Sequence, residues 1–230
     1  MKEIYISPSD LAFLYEESKW GFHCKYVSGI KRPPLILPKI FNIIDSSIKN
    51  KFIGENLSRI DKNLPNAKLI DSNEKWVVSK PIANEEYPDI CIKVRGKIDA
   101  ALEYEDGSYA IVDFKTSEIH ANYLQKYKNQ LFAYCYGISN PENSKAFSLN
   151  NITKTGLLVF EPDDFHIDYN GRAGIKGNFK WLEFDIEIEN FENFVKNELI
   201  PLLAGPEPKP EENDNYWLYL KQFGFEYQQE

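Results

Sequence analysis

The stretch Val112-Asp113-Phe114-Lys115-Thr116 decides the fold that this sequence is expected to adopt. Alternate side chains of a β-strand lie on the same face, so Asp113 and Lys115 project together while Phe114 turns into the packing behind them. The residues before this stretch are apolar and β-forming, which favours a buried strand. A buried strand that carries a carboxylate and an ammonium group on one face indicates a site with a use for charge.

A second stretch, Gly96-Lys97-Ile98-Asp99, lies on the preceding predicted strand. Glu105-Asp106-Gly107 separates the two strands, and Asp-Gly between strand-forming residues is typical of a hairpin turn. The hairpin would fold Asp99 back beside Asp113 and Lys115. The sequence therefore predicts two carboxylates and one ammonium group at a single place.

Phosphodiester hydrolysis is the chemistry that requires this combination. Carboxylate oxygens are hard ligands suited to Mg²⁺ or Mn²⁺, which neutralise the charge that develops on a scissile phosphate. We expect Asp99, Asp113 and the carbonyl group of Phe114 to hold the metal ion. Lys115 would position or deprotonate the attacking water, or stabilise the charge of the transition state. The expected catalytic residues are Asp99, Asp113 and Lys115.

The order and spacing of these motifs resemble those of a known nuclease family. Gly96–Asp99 and Val112–Thr116 are followed by Gln130-Leu131-Phe132-Ala133-Tyr134 on the next predicted helix. This set is similar to the RecB-like branch of the PD-(D/E)XK nuclease superfamily, including the exonucleases of CRISPR adaptation. The segments Ile6–Leu11 and His23–Tyr26 also resemble the opening of those proteins. The resemblance implies three substrate-binding residues, which are Thr116, Gln130 and Tyr134.

The sequence departs from that family in two respects. Many relatives hold an iron–sulfur cluster through one N-terminal and three C-terminal cysteines, whereas here only Cys24 is at such a position. We therefore expect no iron–sulfur cluster. Many relatives also place a metal-binding histidine on a helix before the strands, and the comparable helix here carries Asp45, which could replace it as a ligand of Mg²⁺.

The family resemblance also implies partners. DNA, as single strands or as ends, is the expected substrate, and an exonuclease-like mode of cleavage is expected. Since the chain contains no helicase motif, unwinding would need a partner such as a helicase or another repair or CRISPR-type protein.

The cysteines and the hydropathy exclude several other classes of protein. Cys24, Cys91 and Cys135 are far apart and show no CxxC spacing, so we expect no zinc site. The chain has no run of about 18 apolar residues, and its N-terminus lacks the apolar stretch of a signal peptide. We therefore expect a cytoplasmic protein with no membrane partner.

The net charge of −8 argues against a generic nucleic-acid binder, because phosphate groups are normally neutralised by a basic surface. The acidity is concentrated in residues 181–230, however, and the N-terminal third is basic. It could supply one wall of a phosphate groove, or simply form a solvated face. The basic residues of this third include Lys19, Lys25, Lys31, Arg32, Lys39, Lys49, Lys51 and Arg59.

Hydrophobic periodicity places helices and strands around the motifs. We predict a single domain, 1–230, with its core at about 39–160 and a loop or mobile segment at 205–215. The predicted fold is α/β: a restriction-endonuclease-like mixed central sheet flanked by helices, with the core order αβββαβ and an N-terminal helical addition. The predicted helices cover 7–21, 39–54, 122–136 and 191–203, and the predicted strands cover 75–81, 90–104, 108–116, 155–160 and 181–188.

Alternative interpretations stay open for these residues. Asp113 and Lys115 alone could form a surface ion pair that contributes little to stability, and Gln130 and Tyr134 could simply pack their helix. The aromatic residues that could stack on unpaired bases, or instead pack in the core, are Tyr123, Tyr127 and those of 217–225. The alternatives to a DNA nuclease are a non-catalytic nucleic-acid-binding or scaffold module and a phosphohydrolase of RNA or nucleotides.

Overall fold

A computed structural model describes residues 1–31, 38–72, 75–118 and 121–224, without the side chains of 121–123. Arg32, Phe225 and the side chain of Tyr123 therefore lie outside the described part. The chain forms an α/β fold, as predicted, but its strands are divided between two mixed sheets flanked by helices, where the sequence predicts one central sheet. None of the helices in the described part combines the length and the apolar character that a membrane span needs.

The elements follow one another along the chain with short connections. The strands are β1 (Lys2–Ile6), β2 (Ala67–Ile70), β3 (Trp76–Val78), β4 (Ile82–Ala83), β5 (Ile90–Lys97), β6 (Ala100–Tyr104), β7 (Tyr109–Thr116), β8 (Ile152–Ile167) and β9 (Ala173–Asp185). The α-helices are α1 (Pro8–Asp10), α2 (Lys19–His23), α3 (Lys39–Phe52), α4 (Ala121–Ser139), α5 (Ile188–Phe194), α6 (Ile200–Ala204) and α7 (Asn215–Lys221). Wider π-helical turns follow α1 over Leu11–Tyr15, α2 over Cys24–Ser28 and α5 over Val195–Leu199, and a 3-10 turn covers Leu57–Arg59.

The larger sheet has the strand order β2-β6-β7-β8-β9. Its neighbouring strands are antiparallel except β7 and β8, which run parallel. Helix α4 forms the crossover between them, as parallel neighbours require. The predicted chain order αβββαβ is found in α3, β2, β6, β7, α4 and β8. Strands β3, β4 and β5 of the smaller sheet are inserted in the chain between β2 and β6. The nuclease identity of this core stays a prediction.

The smaller sheet is built around β5. Strand β1 runs parallel to β5 along one edge, and the short strands β3 and β4 pair antiparallel with its other edge. Helix α4 packs on both sheets, since its apolar residues contact β3 of the smaller sheet and β6 and β7 of the larger one. The two sheets therefore share one helix, and a site beside α4 can draw residues from both.

The predicted strand 90–104 is broken in the structure. Ile98 and Asp99 separate β5 from β6 and form the junction between the two sheets. The hairpin that follows is confirmed, because Gly107 has a positive φ of 79° and its N–H donates to the Tyr104 carbonyl at 3.0 Å. Asp99 thus reaches β7 from a strand end, where its side chain is not confined to one face of a sheet.

The two faces of the larger sheet pack against different helices. On β7, Val112 and Phe114 pack with apolar residues of α3, whereas Ile111 packs with residues of α4. Asp113 and Lys115 alternate with the first pair, so they lie on the side of α4. The strand alternation that the sequence predicts is confirmed.

The ends of the chain differ from the prediction. The predicted helix 7–21 consists of two short helical segments separated at 16–18, and β1, β2 and α7 are elements that the sequence analysis did not predict. The stretch 205–214 is a loop, as predicted, and it is held to the N-terminal helices because the Trp20 indole donates to Glu207 at 2.6 Å. Helix α7 packs in the same region, where Tyr216 and Trp217 belong to the hydrophobic core, whereas Tyr219 is exposed.

Gly96 of β5 lies in close contact with two other elements. A Cβ atom at this position would be 2.9 Å from Cδ of Pro8 and 3.2 Å from Cε1 of Tyr134. We expect Gly96→Ala to lower the free energy of unfolding by about 1–3 kcal/mol, because the added methyl group overpacks this contact. Urea denaturation measures the loss. Pro8→Ala in the same chain should recover part of it, and strictly additive effects would contradict the clash as its cause.

Candidate active site

Strand β7 brings Asp113 against α4, where the residue is 5% exposed. Its Oδ1 accepts a hydrogen bond from Nε2 of Gln130 at 2.8 Å, and its Oδ2 forms an ion pair with the Lys115 ammonium group. Gln130 therefore contacts the carboxylate that the sequence analysis places at the centre. The surface ion pair that was the alternative for Asp113 and Lys115 is not observed, because the pair is enclosed.

Asp99 reaches the same place from the junction between the sheets. Its Oδ2 accepts a hydrogen bond from the backbone N–H of Phe114 at 2.9 Å. The Ser72 hydroxyl donates to the Asp99 carbonyl at 3.2 Å and fixes the junction further. Since Phe114 lies between Asp113 and Lys115, the structure brings together the two carboxylates and the ammonium group that the sequence predicts.

Lys49 of α3 belongs to this cluster, although the sequence analysis counted it only as part of a basic wall. Its Nζ lies 2.9 Å from Oδ1 of Asp99 and 3.0 Å from Oδ2 of Asp45, and 5.6 Å from the centre of the Phe114 ring. Asp45 therefore joins the cluster through Lys49. The spacing of four residues between Asp45 and Lys49 on a helix was the available signal, because such residues are neighbours on the helix surface.

The Asp113 carboxyl group has an unusual proton affinity. Burial raises its pKa to about 6, and the nearby charge of Asp99 adds to the rise, while Lys115 and Lys49 act in the opposite direction. An enclosed carboxylate loses its hydration, and here that cost outweighs the attraction of two cations. A strongly shifted pKa beside a second carboxylate is a feature of functional sites.

Two aromatic rings enclose the Lys115 ammonium group. Its Nζ lies 4.8 Å from the centre of the Tyr127 ring and 5.7 Å from the centre of the Phe13 ring, and the two rings meet edge to face. Burial acts to lower the pKa of Lys115, but Asp113 and Asp99 outweigh it, so the pKa is raised. Lys115 is therefore a cation at neutral pH. Tyr127 is a buried residue of this enclosure, and Phe13 is a neighbour of the site that the sequence analysis missed.

The remaining predicted site residues lie around this centre. The Tyr134 hydroxyl, one turn beyond Gln130 on α4, donates to the Lys97 carbonyl at 2.7 Å and thus contacts the end of β5. Thr116 is the last residue of β7 and is half-buried beside β8. The ring of Phe114 packs in the core, and a role for its carbonyl group as a metal ligand stays a prediction.

The oxygen atoms at this place suit a divalent cation. Oε1 of Gln130 is a buried acceptor for which no described residue supplies a hydrogen bond, whereas Oδ2 of Asp113 pairs with the Lys115 ammonium group. The three carboxylates and two ammonium groups of the cluster leave one negative charge in excess. Among the described residues, no three His, Cys, Asp or Glu side chains form a group that could hold a metal ion. A divalent cation here would thus need amide or carbonyl oxygens, or water, besides the carboxylates.

Lys49→Met tests whether the lysine bridge supports the cluster. The substitution removes the charge but keeps a long apolar stem, and we expect it to lower the free energy of unfolding by about 1–2 kcal/mol at pH 7. Lys51→Met, at an exposed position of the same helix, is the matched control and should change it by less than about 0.5 kcal/mol. Urea denaturation of both variants measures the difference. Equal effects would show that Lys49 acts through the helix alone.

Comparison with known proteins adds little to this geometry. No protein-family model matches the chain, and no curated protein matches it. A solved structure described as "Crystal structure of SSO0001" is similar to the chain with a TM-score of 0.42 and 17% sequence identity, over 90% of this chain and 81% of that one. A likeness of this size carries no argument about fold or function.

Proposed function

We propose that this protein is a metal-dependent nuclease that hydrolyses phosphodiester bonds of DNA in an exonuclease-like mode. The observation that carries the proposal is the enclosed Asp113 carboxylate, which is held by Gln130 and Lys115 beside Asp99 and has a pKa raised to about 6. Burying the Asp113 carboxylate beside the partly exposed Asp99 is unfavourable for folding, so a function that uses both accounts for the arrangement.

Each residue of the cluster has a role in this proposal. Asp99 and Asp113 would hold Mg²⁺ or Mn²⁺, with the Phe114 carbonyl and Asp45 as further ligands. The bound ion supplies charge neutralisation at the scissile phosphate. Lys115 is a cation at neutral pH, so it donates hydrogen bonds that orient the attacking water and stabilise the charge of the transition state.

The surrounding residues hold this centre in place. Gln130 orients the Asp113 carboxylate through its amide N–H, and the backbone N–H of Phe114 orients Asp99. Tyr134 fixes the end of β5 next to Asp99, and in this proposal Tyr134 and Thr116 would contact the substrate backbone. Preorganised groups of this kind reduce the reorganisation that catalysis requires.

The proposal extends to the setting of the reaction. We place the activity in the cytoplasm, on single-stranded DNA or on DNA ends. Unwinding of a duplex needs a motor, so we propose a helicase, or another repair or CRISPR-type protein, as a partner.

Cleavage assays on matched substrates test the proposed function. Single-stranded DNA, double-stranded DNA, RNA of the same sequence and free nucleotides are incubated with the protein in Mg²⁺, Mn²⁺ or EDTA. We expect the metal ions to support cleavage of DNA and EDTA to abolish it. Faster hydrolysis of RNA or nucleotides would favour the phosphohydrolase alternative. No cleavage with any metal ion, together with no binding of Mn²⁺ by calorimetry, would favour a non-catalytic module.

A further inference from the structure

The outward face of the smaller sheet carries cations flanked by aromatic rings. Arg95 and Lys97 alternate along β5, and both are exposed. The Arg95 guanidinium lies 5.8 Å from the centre of the Tyr5 ring on β1 and 5.1 Å from that of the Trp76 ring on β3. The Lys97 ammonium lies 5.2 Å from the Trp76 ring. These four side chains form one continuous surface, which we call the Trp76 surface.

The positive charge of this surface is available to a ligand. Within the described residues, neither Arg95 nor Lys97 forms an ion pair with a carboxylate. Lys93, the preceding outward residue of β5, differs because it is buried and binds Glu3 at 2.6 Å and Glu142 at 2.8 Å. Two exposed cations without acidic partners are notable in a protein of net charge −8, and they favour an anionic ligand.

A cavity of about 620 Å³ opens beside the Trp76 surface. Arg95, Lys97 and Lys31 line it, together with Lys25, which pairs with Asp10. Lys25 and Lys31 are both members of the predicted basic wall. The cations of the lining outnumber its single carboxylate, so the cavity suits phosphate groups.

Trp76 borders this cavity and also a second one of about 820 Å³. The residue is 50% exposed, so part of its indole ring is open to solvent. Lys75 and Lys145 line the second cavity, and its carboxylate, Glu142, is the one that binds Lys93. Both cavities therefore have basic residues in their lining, and both border the indole ring of Trp76.

The first cavity lies near the candidate active site. Tyr134 lines the first cavity and donates to the carbonyl of Lys97, two residues before Asp99. One turn earlier on the same helix, Gln130 binds Asp113. A ligand that occupies the cavity would thus contact Tyr134, on the helix that also carries Gln130.

We propose that the Trp76 surface binds a segment of single-stranded DNA, with phosphates on Arg95, Lys97 and Lys31 and an unpaired base stacked on Trp76. Aromatic side chains stack on bases whose faces are free, whereas the bases of a duplex cover one another. The surface therefore selects single strands. That the bound strand continues to a scissile phosphate at Asp99 and Asp113 rests on the proposed function, but the binding itself does not.

Binding without cleavage tests the proposal. A fluorescein-labelled deoxythymidine oligomer, a uridine oligomer and a DNA duplex of the same length are titrated in EDTA with the full-length protein, and fluorescence anisotropy is measured. The variants are Arg95→Gln with Lys97→Gln, Trp76→Ala, and Trp76→Phe. Lys176→Gln with Lys180→Gln, at exposed positions on β9 of the larger sheet, removes the same charge and is the matched control. Thermal unfolding verifies that every variant folds.

We expect the Arg95 and Lys97 double variant to bind the deoxythymidine oligomer about tenfold or more weakly, and the slope of log K against log salt to fall by about 1.4, for two lost phosphate contacts. Trp76→Ala should weaken binding about tenfold, and Trp76→Phe less, because a phenyl ring still stacks. The control on β9 should bind like the wild type.

Several outcomes would overturn the proposal. They are unmeasurable binding by the wild type, equal binding by the wild type and the surface variants, a preference for the duplex, and tighter binding of the uridine oligomer. The nuclease proposal fails separately. If the surface variants lose binding in a protein that cleaves nothing, the Trp76 surface stands and the nuclease does not. If the protein cleaves DNA with a metal ion but the surface variants bind like the wild type, the nuclease proposal stands and the Trp76 surface does not.

Discussion

Lys115→Ala should lower the rate of DNA cleavage by about 10²- to 10⁴-fold at pH 7.5, because the ammonium group that orients water and stabilises transition-state charge is lost. The measurement is single-turnover cleavage of labelled DNA in Mg²⁺ or Mn²⁺. Lys180→Ala, which removes an exposed lysine paired with Glu161, is the control and should cleave like the wild type. Wild-type rates in Lys115→Ala would remove this residue from the mechanism.

The loss in Lys115→Ala has two physical explanations that pH separates. The Lys115 charge opposes the rise in the pKa of Asp113, so its removal raises that pKa further and favours the protonated carboxyl group. If this were the whole effect, activity would return as the pH is raised from 6 to 9. We expect the deficit to persist at pH 9, because the lost donor is itself part of the chemistry. Full recovery would reduce Lys115 to a residue that keeps Asp113 ionised.

The convergence at β7 could be predicted because it follows from local rules. Side chains alternate along any strand, so Asp113 and Lys115 share a face in every tertiary arrangement of that strand. The Asp-Gly turn returns the chain to β7 within a few residues and carries Asp99 with it. The family resemblance implied that Gln130 approaches the active site or the nucleic-acid backbone, and the structure places its amide 2.8 Å from the Asp113 carboxylate.

Residues that reach the cluster from distant elements could not be predicted in this way. Lys49 lies 50 positions before Asp99, and nothing in the spacing of α3 shows which strand this helix packs on. Phe13 reaches Lys115 from the N-terminal helical turns for the same reason. Such contacts depend on the packing of whole elements, and hydrophobic periodicity reports only which face of an element is buried.

The division into two sheets was also beyond the sequence pattern. The apolar residues of 90–104 are buried, among them Ile92 and Val94, but burial does not reveal where a strand leaves one sheet for another. The break falls at Ile98 and Asp99, and the bond from the Phe114 N–H to Asp99 holds it in place. The proposed metal ligand Asp99 thus lies where the regular pattern fails, as is common at sites that use strained or irregular positions.

Asp113→Asn should make the protein more stable at pH 7 while it abolishes cleavage. The pKa of Asp113 is raised from 3.8 to about 6, so the folded state binds this proton more tightly than the unfolded state does. The protonated Asp113 carboxyl group therefore stabilises the folded state. This contribution to the free energy of unfolding is complete below about pH 4 and is lost as the pH rises through about 6. At pH 7 the ionised group therefore costs up to about 3 kcal/mol, at 1.4 kcal/mol for each pKa unit.

The neutral amide of Asp113→Asn avoids this cost at every pH. Its oxygen can still accept from Nε2 of Gln130, and its N–H₂ group replaces the oxygen that pairs with the Lys115 ammonium group. Thermal unfolding in EDTA, which keeps metal ions out of the comparison, measures the gain between pH 4 and pH 8. We expect a higher melting temperature than the wild type at pH 7, by about 2–4 °C per kcal/mol, and no difference at pH 4.

Asp45→Asn is the matched control, since it changes the exposed carboxylate of the same cluster and should alter stability by less than about 0.5 kcal/mol. A structural ion pair and a functional carboxylate predict opposite signs for Asp113→Asn. If the pair with Lys115 stabilised the fold, removal of the Asp113 charge would lower the melting temperature at pH 7. A gain in stability with a loss of cleavage is the result expected of a site whose buried charge is retained for its chemistry, at the expense of the folded state.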